Sequence, residues 1–362
     1  MQKHLLAALL LLPIAAPAGA LSPRLYAVND WLYVLQPGAV GLPAIEASGY
    51  DALVIDYSLD GDASSELTAA QVGALKASGK VVLAYLSIGE AEDYRFYWQS
   101  TWNDQPAPDP DAPAWLGPFN PDFPNNYKVR YWQAAWQAIL FGTPSGSNKS
   151  YLDRIIDQGF DGIYLDIVDA FTYWDEDGER PRAQSRLDMM NLVAALANYA
   201  RVTRGRPGFL VFPQNGIDVV RDGDDVLDAA GASFLSTISG VGIEDLFWNE
   251  TSPQNPADTN YRLSILDQYQ AAGLAVVLVD YVWDQIAPGS AANIDRTNDF
   301  VGLALARGYI PYAGVTDRGL DEIVTFTATG GLTAAQPRAN TFLVFRNGFE
   351  SGSTAGWSSS VP

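Results

Sequence analysis

The stretch Gly159-Phe-Asp-Gly-Ile-Tyr-Leu-Asp166 has the order of elements that recurs along the whole chain. Its first glycine can end a helix over the amphipathic residues Ser150–Gln158. The apolar run Gly162–Val168 suits a strand buried on both faces, as in a parallel sheet. Asp166 stands within this run, where an uncompensated charge would be costly. We therefore interpret the stretch as a helix-to-strand junction whose carboxylate has a function.

The same alternation of amphipathic segments and apolar runs is found eight times, which is typical of βα units and a parallel sheet. The predicted strands are Trp31–Gln36, Ala52–Ser58, Val81–Ile88, Gly162–Val168, Phe209–Asn215, Ser239–Asp245, Ala275–Val282 and Tyr309–Gly314. The predicted helices are Thr68–Ser78, Tyr127–Leu140, Ser150–Gln158, Gln184–Arg204, Tyr261–Ala272 and Ala291–Arg307. This pattern predicts an α/β fold, a (β/α)8 TIM barrel. A doubly wound open sheet is the alternative, because a count of strands does not prove closure.

The two ends of the chain predict segments outside the barrel. A charged start, the apolar run Leu5–Ala16 and then Ala18-Gly19-Ala20 have the form of a secretory signal peptide. We expect cleavage near Ala20 and a secreted or periplasmic protein. The apolar run is too short to span a bilayer, so no membrane span is expected. The predicted domains are the signal peptide at 1–20, the barrel at 21–345 and a flexible Gly/Ser-rich tail at 346–362.

Composition excludes several kinds of active site. The sequence has no Cys, and its one His is His4, within the predicted leader. A mature chain of this kind cannot build a Ser-His-Asp triad, a thiol nucleophile or an ordinary zinc site, and we expect no cofactor and no metal. The formal net charge of −20 argues against nucleic acid as a partner, because phosphates would be repelled. We expect a monomer.

Most of the predicted strands end in acidic or amide side chains, which in a barrel face the catalytic mouth. One acid at a strand end often caps the next helix, but capping does not account for six such strand ends. These residues, from the second strand to the seventh, are Asp56, Glu90, Asp166 with Asp169, Asn215, Glu244 and Asp280. Glycoside hydrolysis needs two carboxyl groups across the scissile bond and no metal, thiol or imidazole. The strand ends are therefore suited to that reaction.

The segment Glu90–Asn126 breaks the βα pattern, being rich in Pro, Asp and aromatic residues without periodicity. We predict a long loop after the third strand, on the face of the barrel that contains the active site. Sugar subsites need aromatic faces as well as carboxylates. The loops offer Tyr94, Tyr97, Trp98, Trp102, Trp115, Tyr173, Trp174, Trp248 and Trp283 for this purpose.

Five segments form a recognisable series. They are Asp51-Ala-Leu-Val-Ile-Asp-Tyr57, Val82-Leu-Ala-Tyr-Leu-Ser-Ile-Gly-Glu-Ala-Glu-Asp-Tyr-Arg95, Gly159-Phe-Asp-Gly-Ile-Tyr-Leu-Asp166, Phe212-Pro-Gln-Asn-Gly216 and Gly242-Ile-Glu-Asp-Leu-Phe247. The series resembles the motifs of the endo-α-1,4-polygalactosaminidase-like glycoside hydrolases, which are family 114 and its thermophile-typified relatives. The resemblance extends from Trp31 to Gly314. One departure is Asp166-Ile-Val-Asp169, where the founding polygalactosaminidases have Asp-Asn-Val-Asp.

The resemblance implies a (β/α)8 barrel that hydrolyses a polysaccharide or oligosaccharide. It also implies a catalytic pair after the fourth and sixth strands, with Asp166 as nucleophile and Glu244 as general acid/base. The residues expected to bind substrate are Asp56, Tyr57, Tyr85, Glu90, Asp169, Asn215, Asp280 and Trp283. A galactosamine polymer suits the acidic chain, and a neutral polysaccharide stays open as well.

Two other functions stay open at this point. The first is a non-catalytic extracellular polysaccharide-binding protein that keeps the barrel and its aromatic residues. The second is a metal-dependent hydrolase, such as a deacetylase, which would need an all-oxygen Ca²⁺ site because histidine is missing.

Overall fold

The computed structural model describes residues 25, 27–102, 110–146 and 148–338. The predicted signal peptide at 1–20 and the predicted tail at 346–362 lie outside these residues. Among the described helices, none combines the length and the hydropathy needed to cross a bilayer.

Eight parallel strands in the described part of the chain form the central barrel. They are β1 (Trp31–Val34), β2 (Ala52–Ile55), β3 (Val81–Ser87), β4 (Gly162–Asp166), β5 (Leu210–Pro213), β6 (Gly240–Glu244), β7 (Ala275–Trp283) and β8 (Ile310–Val315). Each strand lies within or within one residue of its predicted range, so the strand prediction is confirmed. Four of these strands are fully buried and each of the other four has one partly exposed end residue, as their continuous apolar runs indicate.

Strand order in space follows strand order in the chain. Backbone ladders join β1 to β5 in one parallel series and β6 to β8 in a second. The two series meet where the Asn215 amide donates to the Gly242 carbonyl oxygen, at 2.9 Å. The ring closes where the Trp31 indole Nε1 donates to the Ile310 carbonyl oxygen, at 3.0 Å. A doubly wound sheet would reverse its order midway, so the barrel prediction is confirmed and the alternative is wrong.

Helices alternate with the strands. They are α1 (Pro37–Val40), α2 (Leu42–Ala47), α3 (Ala69–Ala77), α4 (Ala134–Leu140), α5 (Tyr151–Gln158), α6 (Ala170–Glu176), α7 (Arg182–Asn198), α8 (Ala229–Thr237), α9 (Pro256–Ala271) and α10 (Ala291–Ala306). Single 3₁₀ turns occupy Ala63–Ser65, Ser100–Trp102 and Ile217–Val220, and a π-helical turn at Tyr199–Thr203 extends α7. Helices α1, α2, α6 and α8 were not predicted. The first two are only four and six residues long. Helix α6 is rich in aromatic residues of modest helix propensity, and α8 is a short segment of small residues.

The segment after β3 is not the structureless loop that the sequence predicted. Its described residues include three short antiparallel strands, Glu90–Glu92, Leu116–Phe119 and Asn126–Val129. The last of these strands also corrects the predicted helix Tyr127–Leu140, whose helical part begins at Ala134. Tyr127 and Val129 are completely buried, which explains why this stretch forms a strand and not an exposed helical turn. We call the segment from Glu90 to Val129 the β3 insertion.

Aromatic side chains fill the barrel beneath the site. The Trp31 ring stacks on Tyr33 with centroids 5.4 Å apart, and Tyr164 packs edge-on against Tyr33 at the same distance. Position 242 must be glycine, because a Cβ atom there would overlap the Tyr164 phenol. The Tyr33 hydroxyl donates to the Gln214 side-chain oxygen at 2.9 Å. This packed layer supports the side chains at the carboxyl ends of β4 and β6.

Candidate active site

A cavity of about 1000 Å³ opens at the carboxyl ends of the barrel strands. We call it the main cavity. Residues from the ends of β1 to β7, from the β3 insertion and from the loop after β8 line it. Two of its lining residues are cationic, Arg95 and Arg318, whereas eight are acidic: Asp56, Asp60, Glu90, Glu92, Asp122, Asp166, Asp169 and Glu244. The cavity is therefore strongly anionic.

Asp166 ends β4 and faces the main cavity. The Tyr85 hydroxyl donates to its Oδ2 at 2.6 Å, and the Ile167 amide donates to its Oδ1 at 2.8 Å. Burial raises the pKa of Asp166 to about 8, the Tyr85 hydrogen bond opposes that rise, and the negative charge of Glu244 adds to it. Ile167 itself has a φ of 58°, a costly conformation for a β-branched residue. Backbone strain of this kind is concentrated at functional sites.

Glu244 ends β6 and faces the same cavity. Its Oε2 accepts a hydrogen bond from the Asn215 side-chain amide at 2.9 Å, and its Oε1 accepts one from the Tyr281 hydroxyl. Its own amide donates to the Asn215 side-chain oxygen at 3.1 Å. Asn215 has a φ of 56°, which turns the chain sharply after β5. Each of the two carboxyl groups is thus held by a tyrosine hydroxyl and by a backbone or side-chain amide.

Glu90, the first residue of the β3 insertion, and Asp169, which follows β4, both line the main cavity, as does Tyr85. The Glu90 carboxylate is completely buried, pairs with the Lys128 ammonium and accepts a hydrogen bond from Asn120 at 2.9 Å. Desolvation by the surrounding protein raises the pKa of Asp169 to about 6, while the charge of Lys128 opposes the rise.

Asp56 also lines the main cavity, but its carboxylate is already paired. The Arg95 guanidinium lies 2.8 Å from Asp56 and 2.7 Å from Glu92, and all three side chains are buried. Burial raises the pKa of Asp56, and the Arg95 charge opposes that rise. This buried ion-pair network shapes one end of the cavity.

The prediction that Asp280 lines the cavity is wrong. Its side chain is completely buried, and its carboxylate accepts three backbone N–H hydrogen bonds. The donors are Leu246 at 2.8 Å, Phe247 at 2.9 Å and Trp248 at 2.8 Å. Asp280 therefore holds the turn after β6, beside Glu244, without reaching the cavity.

Two predicted substrate contacts, Tyr57 and Trp283, also do not line the cavity. Tyr57 is completely buried and packs edge-on against Tyr151, with ring centroids 4.8 Å apart. Trp283 is buried and stacks on Phe326 at 4.7 Å.

Most of the loop aromatics predicted to form sugar subsites pack against other aromatic rings instead. Trp98 and Trp102 meet edge-on at 5.4 Å, and Trp102 and Trp115 do so at 5.5 Å. Trp174 is also buried, and its indole Nε1 donates to the Val129 carbonyl oxygen. Among the nine predicted aromatics, all of which lie in described ranges, Tyr94 is the one that lines the main cavity.

Sequence reasoning missed Tyr281 and Arg318. Tyr281 follows Asp280 in β7, so the strand's alternation turns its side chain in the other direction, toward Glu244. The Arg318 guanidinium lies 4.3 Å from the Tyr281 ring centroid and 2.7 Å from the Asp245 carboxylate. Alternation along β7 could have indicated Tyr281, whereas Arg318 comes from an irregular loop without such a signal.

Within the described ranges, no group of three or more acidic, His or Cys side chains is arranged to hold a metal ion. The main cavity offers carboxyl groups and tyrosine hydroxyls for acid–base chemistry.

The chain has relatives among known proteins. Residues 14–330 match the model of glycoside-hydrolase family GH114. An uncharacterised protein of Thermotoga maritima is 39% identical over 295 residues, which are 82% of this chain and 83% of that protein. One of Methanocaldococcus jannaschii is 38% identical over 296 residues, which are 82% and 78% of the two chains.

Among solved structures, the glycoside hydrolase domain of PelA from Pseudomonas aeruginosa is similar in fold. The TM-score is 0.51 at 20% sequence identity, covering 81% of this chain and 95% of that domain.

Proposed function

The chain belongs to glycoside-hydrolase family GH114, and on that premise we propose that it hydrolyses a polysaccharide with Asp166 and Glu244 as its catalytic carboxyl groups. The observation that supports this assignment best is their shared setting. The two carboxyl groups end β4 and β6, face one cavity, and each accepts a hydrogen bond from a tyrosine hydroxyl, Tyr85 or Tyr281.

In the proposed retaining mechanism, the Asp166 carboxylate attacks the anomeric carbon while the glycosidic C–O bond breaks. Glu244 gives its proton to the departing oxygen, and a glycosyl ester forms on Asp166. A water molecule then attacks the same carbon, transfers a proton to Glu244 and releases the carboxylate of Asp166. The Tyr85 hydroxyl and the Ile167 amide would stabilise that carboxylate whenever it is ionised.

We propose a galactosamine-containing polymer as the substrate, because the main cavity is suited to cationic groups. Both of its guanidinium groups are already paired, Arg95 with Asp56 and Glu92, and Arg318 with Asp245. Unpaired anionic charge therefore remains around the catalytic candidates. An amino sugar that has lost its acetyl group is cationic at neutral pH and would be attracted to this field.

We propose export for the same protein, with the leader at 1–20 removed and a single barrel domain at 21–345 acting as a monomer. The support for export is the leader-like sequence before Leu21. A polysaccharide substrate outside the cell agrees with such a destination.

The test is the release of reducing ends from partly deacetylated galactosamine and glucosamine polymers and from neutral glycans. Wild type is compared with Asp166→Asn and Glu244→Gln. The matched control is Asp267→Asn, because Asp267 pairs with Arg307 and does not line the main cavity. We expect release by wild type and by the control, and a loss of about 10²-fold or more in both catalytic variants.

The outcomes separate the candidate functions. Binding of a glycan without release by wild type would support the non-catalytic binding protein. Release that persists in Asp166→Asn and Glu244→Gln would show that other acids are catalytic. Proton NMR of the first product tests the mechanism, because retention of the anomeric configuration is expected and inversion would contradict it.

A further inference from the structure

A second cavity of about 380 Å³ adjoins the main cavity, with Asp169, Asn215 and Glu244 in the wall that they share. It lies between the carboxyl ends of β5 and β6 and helix α9. Asp245 after β6 and Asp258 and Tyr261 of α9 also line it. Its volume is within the range of small-ligand sites, roughly 300–1,000 Å³.

The second cavity has an apolar floor and a polar rim. Ile217, Ile243 and Ile265 form the floor and are almost completely buried. On the rim, Tyr261 is 42% exposed, and the Arg221 guanidinium lies 5.7 Å from its ring centroid. The aliphatic floor and the exposed aromatic ring suit the apolar face of a pyranose, and the polar rim suits its hydroxyl groups.

Asp169 at the junction is exposed to solvent and lines both cavities. The Oδ1 atom of Asp245, in the wall of the second cavity, is buried and has no hydrogen-bond partner. Buried acceptors are normally satisfied, so this unpaired oxygen beside a catalytic candidate indicates where a ligand supplies a hydroxyl or ammonium donor.

We propose that the second cavity is the leaving-group subsite of the hydrolase. It would hold the sugar on the reducing-end side of the scissile bond, with Asp169 receiving a donor at the junction and Tyr261 and Asp258 contacting that sugar. Glu244 lines both cavities, so it lies at their junction. A general acid must be there to protonate the departing oxygen. This inference rests on the proposed function and on the role of Glu244 in it.

Two kinds of substrate distinguish a loss of sugar binding in the second cavity from a loss of the catalytic step. The first is a series of α-1,4-linked, partly deacetylated galactosamine oligomers of two to eight units, labelled at the reducing end. The second is a 2,4-dinitrophenyl galactosaminide, whose small leaving group departs without a sugar in the second cavity. We expect Tyr261→Ala and Asp258→Asn to raise KM for the longer oligomers about tenfold, because each variant loses one proposed contact with the sugar, the aromatic ring or the carboxylate. Cleavage should also move toward the labelled end, with the aryl glycoside unaffected.

Asp267→Asn is the matched control, because Asp267 is an acid of α9 that pairs with Arg307 and lines neither cavity. This variant should cleave oligomers as wild type does. Asp258 is exposed, so Asp258→Asn decides the test if Tyr261→Ala does not fold, as judged by its thermal unfolding.

An unchanged KM and cleavage pattern in folded Tyr261→Ala and Asp258→Asn would overturn the subsite. Equal losses on the oligomers and on the aryl glycoside would overturn it too, since they would point to a disturbed Glu244. A wild type that cleaves none of these substrates and none of the glycan panel would instead refute the proposed function itself.

Discussion

Removing the hydroxyl of Tyr85 should change the ionisation of Asp166 by an amount that the structure allows us to work out. Burial raises the pKa of Asp166 to about 8, and the Tyr85 hydrogen bond, 2.6 Å long, opposes this rise. A hydrogen bond to a charged group contributes about 1.5–3 kcal/mol, and one pKa unit corresponds to about 1.4 kcal/mol. Tyr85→Phe should therefore raise the pKa of Asp166 by about one to two units.

The rate that is measured must depend on the ionisation of Asp166 and not on that of the general acid Glu244. A 2,4-dinitrophenyl glycoside meets this need, because its leaving group departs unprotonated. A nucleophile must be ionised, so kcat/KM of the wild type should rise about 50-fold between pH 6 and pH 8, as the ionised fraction grows from about 1% to half. In Tyr85→Phe the midpoint should move up by about one to two units, with the plateau at high pH little changed.

Tyr164→Phe is the matched control. Its hydroxyl is buried in the barrel and makes no hydrogen bond within the described part of the chain. Its removal should leave the midpoint where it is. An unchanged midpoint in Tyr85→Phe would refute the electrostatic reasoning. A wild-type rate that falls between pH 6 and pH 8 would show that protonated Asp166 is the active form, and the two catalytic roles would be exchanged.

Two further predictions concern the turn after β6 and the charge of the cavity. Asp280→Ala should lower the free energy of unfolding by about 3 kcal/mol or more in a urea titration, because three backbone N–H groups, two of them buried, lose their acceptor. An Asp280→Ala variant as stable as wild type would contradict that role. Raising the salt concentration from 0.01 to 0.5 M should raise KM for a deacetylated polymer about tenfold through screening, and leave KM for a fully acetylated one unchanged. Equal salt effects on both polymers would argue against a cationic substrate.

Sequence reasoning predicted the repeating part of the fold and the centre of the candidate site. Each strand is an apolar run bounded by a turn residue, so its position depends on local composition alone. The helix before β4, for example, ends at Gly159 with a φ of 90°, as its glycine indicated. The predicted residues Asp166 and Glu244 both face the main cavity, because residues at the carboxyl ends of parallel strands meet on one side of the barrel.

The strands of the β3 insertion and the positions of the aromatic side chains could not be predicted from local composition. The short strands of the insertion are stabilised by pairing with one another and by burial of Tyr127 and Val129, and neither leaves a periodic signal in the sequence. An exposed and a buried tryptophan also look alike in a sequence. In the tertiary structure Trp98 and Trp102 pack against each other, whereas Tyr94 lines the main cavity.

The sequence by itself determined that this chain forms βα units whose strands end in carboxylates, and that histidine and cysteine chemistry is absent from the predicted mature chain. Those properties are local or compositional. Only the tertiary structure decided which acids face the cavity and which accept hydrogen bonds from backbone N–H groups. Asp280 and Glu244 both come from barrel strands, yet one accepts three N–H groups of a neighbouring turn and the other faces the cavity beside Tyr281. The partner of a carboxylate comes from another strand, so its role depends on contacts distant in sequence.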